Sequence, residues 1–235
     1  MEQLSKTFEQ LNINAGDETI SKFQRYMDMV LEANEKVNLT AITDENEFIK
    51  KHFVDSVICA GFDEVKNANS IIDVGTGAGF PGVPLALIFP DKDFLLMDSL
   101  GKRIKILNEI INELEIKNVR LIHARAEDLA RKAGYREGFD VCVSRAVASL
   151  SVLSEYCLPF VAVGGSFIAY KGPDAGIELS RAEGAINIFG GELADIRKAD
   201  IDGFDLDHKL IVIKKRRNTP EKYPRKAGIP ARAPI

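Results

Sequence analysis

The chain has 235 residues, 46% of them hydrophobic, and a net charge of −4. That length supplies one sizeable core and one main domain rather than two, and the overall acidity excludes a uniformly basic nucleic-acid binder. No apolar run reaches the ~18 to 20 residues that span a bilayer, and the start MEQLSKTFEQ has neither the basic nor the apolar region of a secretory leader, so a soluble, cytoplasmic protein without membrane contact is expected.

The first 60 or so residues read helical. Ile20, Phe23, Tyr26, Met27, Val30 and Leu31 recur at three-and-four spacing behind Asp17 and Ser21, and a second helix is predicted after Thr43 with Phe48, Phe53, Val57 and Ile58 as its apolar positions. From residue 70 short apolar runs alternate with amphipathic segments. SIIDVG precedes PLALIF, DFLLMD precedes RIKILNEIINEL, VRLIHA precedes EDLARKA, FDVCVS precedes LSVLSEYCLPF, and SFIAYK precedes a helical stretch around Leu179. This alternation predicts an α/β fold with a parallel sheet covered by helices on both faces. GELADIRKADI and HKLIVIKK follow with only a short connection between them, which predicts an antiparallel pair at the sheet edge. The expected divisions are a helical extension over 1–66, the sheet domain over 67–217 and a basic, proline-containing tail over 218–235.

Charge is distributed unevenly. From Lys214 to Ile235 there are eight lysines or arginines and one glutamate, a net +7 that leaves −11 on the preceding residues. Such asymmetry points to contact with a polyanion or to a solvated tail. The prolines predict a stiffened, extended tail. Cys59, Cys142 and Cys157 are odd in number and widely spaced, which fits buried thiols and neither a disulfide framework nor a metal knuckle.

The stretch DVGTGAGFPG at 73–82 satisfies two loop patterns. Gly77, Gly79 and Gly82 form the dinucleotide pattern G-x-G-x-x-G, whereas Asp73, Gly75 and Gly77 form D-x-G-x-G. Both rely on backbone N–H groups at a helix start with no Cβ in the way. Pro81 or Pro84 suits the first turn of that helix. Asp98, closing the second strand, is placed to accept from ribose hydroxyls in either case. Three features favour S-adenosylmethionine over a nicotinamide cofactor. The Asp73 carboxylate favours a cationic amino group and opposes a pyrophosphate, the sheet closes with an antiparallel hairpin, and a helical lobe precedes the first strand.

NLTAI at 38–42, KHFVDS at 51–56, DVGTGAGFPGVPLA at 73–86, DSLGKR at 98–103, ARAED at 124–128, SRAVASL at 144–150, YKG at 170–172 and TPEKYPRKAGIPARAPI at 219–235 occur in this order. Together they resemble the bacterial small-subunit ribosomal RNA methyltransferase G family, also called the glucose-inhibited division protein B family. The resemblance spans essentially the whole chain; D-x-G-x-G is widely shared, while DSLGKR with SRA and TP-x-x-YPRK is specific. It implies a Rossmann-like class I S-adenosylmethionine-dependent methyltransferase fold, with a mostly parallel seven-stranded sheet. It implies methyl transfer to N7 of one guanine in 16S ribosomal RNA. By the same resemblance Gly75, Gly77 and Phe80 line the cofactor loop beside Asp73, Asp98 holds the ribose, Ala126 and Glu127 lie beside the adenine, and Arg145 closes the site as the catalytic residue.

The residues also limit the chemistry. The D/N-P-P-Y/F signature of exocyclic amino methylation is replaced by VSRA after the fourth strand, and Cys142 and Cys157 sit in core patterns unsuited to nucleophilic attack on a pyrimidine carbon. Guanine N7 carries a lone pair and no proton, so its methylation needs positioning rather than a base. His52 and Asp55, three apart on a helix, either face the cleft or pack as a pair; His123 and His208 are read as structural or exposed, and no metal site is spelled. RNA contacts are expected from Lys102, Arg103, Lys171, Arg216, Arg217, Arg225 and Lys226, with Tyr223 as a stacking ring or a packing anchor. The expected partner is 16S ribosomal RNA or the small ribosomal subunit, and the size is compatible with a monomer. A small-molecule methyltransferase and a nucleotide-binding regulatory module are the rival readings.

Overall fold

A computed structural model of the chain describes residues 1–145, 148–198, 201–204, 206 and 208–235. The amino-terminal region is helical, as its spacing predicts: α1 (Glu2–Gln10) and α2 (Asp17–Asn34) come first. The helix expected after Thr43 is segmented. α3 (Glu45–Phe48), capped by the Asp44 side chain, runs through a π-helical turn at Ile49–Val54 into α4 (Asp55–Val57) and a 3-10 turn at Ile58–Gly61. The five-residue interval from Phe48 to Phe53 matches a π turn, which brings both rings fully into the core. α5 (Asp63–Lys66) leads into the sheet.

The apolar runs become β1 (Ser70–Val74), β2 (Asp93–Asp98), β3 (Val119–His123), β4 (Phe139–Arg145) and β5 (Val161–Lys171). Between them lie α6 (Gly82–Ile88), α7 (Gly101–Glu113), α8 (Ala126–Leu129) and α9 (Leu150–Cys157). α10 (Ala175–Ile188), β6 (Gly191–Lys198) and β7 (Lys209–Lys215) follow. The seven strands run in the order β3-β2-β1-β4-β5-β7-β6. β1 to β5 pair in parallel, and β7 inserts antiparallel between β5 and β6. The expected edge hairpin is therefore present, with β6 as the outer strand. Ala199 and Asp200 of its first run, and Ala146 and Val147 of SRAVASL, lie outside the described residues.

Strand alternation divides the interior in two. Ile71, Phe94, Leu96, Val141, Val143 and Ile168 face a cluster that includes Phe8, Phe23, Met27 and Phe53 of the amino-terminal helices; Ile72, Val74, Leu95, Met97, Cys142 and Phe167 face a second cluster under α9 and α10. The amino-terminal helices thus share a core with one face of the sheet. All three cysteines are buried and free. Burial pushes the Cys59 thiol up to about 12 and raises Cys142 well above the usual thiol range, so neither is a ready nucleophile.

The tail departs from the extended strut that its prolines predict. Arg136 donates to the carbonyls of Thr219 (2.7 Å) and Tyr223 (2.9 Å), Arg131 donates to those of Lys222 and Pro224, and the Tyr223 ring packs edge-on against Phe189. The chain then turns through Gly228, at φ +81°, into the short helix α11 (Ile229–Arg232). Charged donors on the body capture tail carbonyls, and these contacts fold the tail onto the domain.

Candidate active site

Strand order reverses direction of travel between β1 and β4, and ligands of open α/β sheets bind at the carboxyl ends of the strands at such a switch. The glycine loop leaves β1 there. Gly75, Gly77 and Gly79 have φ of +77°, +62° and +106°, values that L side chains rarely adopt. A Cβ on Gly79 would also run into Tyr26 Oη, with Val83 at 2.8 Å and Leu107 at 2.9 Å. Tyr26, fully buried on α2, donates to Ala78 O at 2.6 Å, so the amino-terminal helices clamp the loop.

Asp73 lies beneath this loop and is fully buried. Its Oδ2 accepts from Thr76 Oγ1 at 2.7 Å and from Gly82 N at 2.9 Å, while Oδ1 has no partner among the described residues. Burial pushes the carboxyl up to about 7, against the pull of those two hydrogen bonds. Asp98, 4% exposed, accepts from Gly77 N at 3.0 Å and Leu100 N at 2.8 Å, and Arg103 reaches it at 3.4 Å.

Asp98 and Gly75 stand between two connected recesses. One, of about 370 Å³, is walled by Thr76, Gly77, Phe80, Arg103, His52 and Arg145. The other, of about 250 Å³, is walled by Val74, Met97, Ala126, Glu127, Tyr156 and Ala231. Asp98 sits where the two meet, with Val74, Met97, Ala126 and Ala148 giving one recess an apolar side beside Glu127 and Arg125, and Arg103, His52 and Arg145 in the wall of the other. Larger hollows elsewhere, including one beside Asp140 and Lys214, lie away from the glycine loop.

The charged recess is closed by a network. Arg145, at the end of β4, donates to Asp55 Oδ2 at 2.8 Å, Lys51 O at 3.0 Å and Ser56 Oγ at 3.3 Å. Its Nη2 lies 3.3 Å from His52 Nδ1, and its guanidinium stands 5.2 Å from the Phe80 ring centroid. His52 stacks on Phe80 with centroids 4.5 Å apart, and its Nε2 meets Thr40 Oγ1 at 2.7 Å. Burial, followed by the Arg145 charge, pushes the imidazole pKa down to about 3, so it is neutral at physiological pH. Burial opposes ionisation of Asp55, but its hydrogen bond to His208 and the Arg145 charge outweigh that and hold the carboxyl below the usual range.

A family model described as "GidB: rRNA small subunit methyltransferase G" matches residues 19–202. The ribosomal RNA small subunit methyltransferase G of Clostridium novyi is 48% identical over 99% of this chain and 96% of its own length. That of Clostridium kluyveri is 52% identical over 96% of this chain and 94% of its own length. The chain belongs to the rRNA small subunit methyltransferase G family. Among solved structures, M. jannaschii TYW2 in complex with AdoMet aligns with a TM-score of 0.55 at 16% identity, covering 74% of this chain and 79% of that one. A putative O-methyltransferase from Klebsiella pneumoniae aligns with a TM-score of 0.54 at 15% identity, covering 82% and 90%. The fold is that of the class I S-adenosylmethionine-dependent methyltransferases.

In this methyltransferase the residues singled out from sequence fall into two groups. Gly75, Gly77, Phe80, Asp98, Ala126, Glu127 and Arg145 all line the two recesses, whereas Asp73 lies under the loop. The cations are less uniform. Lys102 is exposed and makes no ion pair among the described residues, as does Lys226. Arg216 pairs with Glu192 at the surface, Arg217 donates to Asn187, and Arg103 pairs with Asp98. Lys171 is buried, bonded to Glu178 and Ala148 O, and Arg225 is bonded to Glu155. Sequence reading missed Tyr26, Glu155 and Tyr156, which belong to no motif with a mechanism of its own, and Thr76 and Ala231, which stand in the loop and tail stretches at positions whose residue type carries no local signal.

Proposed function

We propose that the protein transfers the methyl group of S-adenosylmethionine to N7 of a guanine in 16S ribosomal RNA, acting in the cytoplasm as a monomer on RNA or the small ribosomal subunit. The observation that carries this reading is the pair of recesses joined at Asp98: the one with Val74, Met97 and Ala126 beside Glu127 fits an adenine, the carboxylate fits ribose hydroxyls, and the one walled by Arg103 and Arg145 fits an amino-acid end. A buried carboxyl with one unpartnered oxygen, Asp73, lies beneath the loop at that end, in keeping with a cationic amino group nearby. Among the described residues no helix is long and apolar enough to cross a membrane, and no cluster could hold a metal ion.

When bound, S-adenosylmethionine supplies an electrophilic methyl group on a sulfonium sulfur. Held between the glycine loop, Asp98 and Glu127, it would offer that methyl group to the N7 lone pair, with the carbon–sulfur electron pair left on sulfur. No proton moves, so the chain needs no general base; it must hold the two partners in line and exclude water. His52 and Phe80 stack as neutral, polarisable rings in the wall of the charged recess, His52 being kept neutral by burial and by the Arg145 charge. Arg145 fixes His52 and ties β4 to α4 across the end of the cleft. RNA phosphates are met by exposed cations that make no ion pair among the described residues, Lys102, Arg125, Lys226 and Arg232, with Arg125 in the wall of the smaller recess.

Incubating the pure protein with methyl-labelled S-adenosylmethionine and small subunits from cells lacking the enzyme tests the reading. Label in 16S RNA that survives removal of ribosomal protein is the expected result. Label only in small molecules, or none, would favour the small-molecule or regulatory reading instead.

A further inference from the structure

The glycine loop covers one side of the cofactor cleft, and the end of the chain covers another. The backbone N–H of Gly228 donates to Glu127 Oε1 at 2.8 Å, and Ala231 stands in the wall of the smaller recess beside Ala126, Glu127 and Tyr156. Glu127 is 4% exposed, and its second oxygen makes no hydrogen bond among the described residues. An acceptor is thus held in a recess whose apolar side is Val74, Met97, Ala126 and Ala148 and whose polar side is Asp98, Ser99 and Arg125. A flat heteroaromatic base with an amino donor has that complementarity.

This segment is fastened to the body. The Arg225 backbone N–H reaches Glu155 Oε1 at 2.7 Å, and its guanidinium makes three further bonds to the same carboxylate at 2.6–3.1 Å. The Glu155 side chain is 1% exposed. Arg225 Nη1 also donates to Ala233 O at 2.9 Å, so both ends of α11 are tied, and Pro230 is buried between them. Peeling the segment away would strand a buried carboxylate without its counter-ion, one of the costlier single losses a fold can suffer. The segment is therefore a fixed wall.

We infer that residues 225–233 form the outer wall of the adenine subsite, with the Gly228 N–H orienting Glu127 so that its second oxygen receives the exocyclic amine of the base. The inference rests on the cofactor reading above and adds to it a part of the chain outside the loop and strand ends. It makes Gly228 and Ala231 positioning and lining residues of the cofactor site, and Arg225 their anchor.

Calorimetry with S-adenosylhomocysteine and S-inosylhomocysteine, in which the exocyclic amine is replaced by an oxo group, tests this without any turnover. The full-length chain should prefer the adenosyl ligand by about tenfold, the scale of one hydrogen bond to a charged acceptor. Ala231→Trp, a change at an exposed position that fills the recess, should weaken binding of the adenosyl ligand at least about tenfold at an unchanged unfolding temperature. A chain ending at Ala227 should bind it more weakly and lose most of the preference between the two ligands. Full-length affinity and preference in both variants would overturn the inference. So would a truncated chain that loses binding only together with its fold while Ala231→Trp binds normally. Failure of the full-length chain to bind either ligand would overturn the cofactor reading, and the inference with it.

Discussion

Replacing Arg145 with alanine separates a positioning network from an ordinary surface ion pair. The Arg145 side chain is 12% exposed and the Asp55 carboxylate 1%, so the substitution leaves a buried carboxylate with one partner, His208 at 2.7 Å. Breaking a buried pair by removing one side typically costs about 3–5 kcal/mol. The hydrogen bond from the His208 ring to Asp55 Oδ1 remains, which brings the expected loss to about 2–4 kcal/mol. For a chain of this size that is a fall of roughly 5–15 °C in unfolding temperature. The Asp55 pKa is depressed in the fold, so this stabilisation is present above the ordinary carboxylate range and is lost as pH falls through the folded value. The gap between wild type and variant should therefore shrink below about pH 4. Because Arg145 also holds His52 against the Phe80 ring, single-turnover methylation should fall by about a hundredfold or more while S-adenosylhomocysteine affinity changes only a few-fold. Arg145→Lys keeps the charge without the planar fork and should recover stability better than turnover. Urea unfolding at neutral and acid pH, with quench-flow methylation, provides both readouts. A pH-independent stability loss, or equal losses of affinity and turnover, would refute the reasoning.

Asp98→Ala should weaken S-adenosylhomocysteine about tenfold or more by calorimetry, since it removes the central acceptor of the cleft and the partner of Gly77 N; an unchanged affinity would remove Asp98 from the site. Gly79→Ala adds a Cβ at φ +106° against Tyr26, Val83 and Leu107, and should cost about 2–4 kcal/mol in denaturant unfolding. The unfolded chain protonates His52 below about pH 6.5, whereas the folded chain resists until about pH 3; stability is lost as pH falls through that window. His52→Gln should therefore flatten the acid side of the stability profile by up to about 1 kcal/mol per pH unit, and an unaltered slope would contradict a neutral His52. Arg225→Ala should lower the unfolding temperature, while Lys226→Ala should leave it unchanged and reduce the salt dependence of RNA binding by about one counterion.

The strands and the glycine loop were legible in the sequence because each is written locally. Parallel strands buried on both faces read as unbroken apolar runs such as SIIDV and FLLM, and the loop puts its ligand-facing N–H groups within ten residues of one another. Arg145, Glu127 and Asp98 could be placed because they close strands or open helices at the same sheet edge. The partners that fix them could not. Arg145 meets Asp55 from 90 positions away, Arg225 meets Glu155 from 70, and Gly228 meets Glu127 from 101. A charged residue in a short motif carries no local mark of whether it ends in solvent or against a buried counter-charge. Lys171 and Arg225 read as candidate phosphate contacts and are instead held by Glu178 and Glu155; Lys226, next to Arg225, is exposed. The proline-rich tail likewise read as extended because Arg131 and Arg136, whose donors bend it inward, sit more than 80 residues earlier.

Nucleoside mass spectrometry tests the central claim most directly. 16S RNA in small subunits from cells lacking the enzyme is analysed before and after incubation with the pure protein and S-adenosylmethionine, and the modified nucleotide is then mapped. The account predicts one added 7-methylguanosine, at one position, with no change in other methylated nucleosides. Methyl groups on an exocyclic amine, on a pyrimidine carbon or on ribose, or no added methyl group at all, would contradict it.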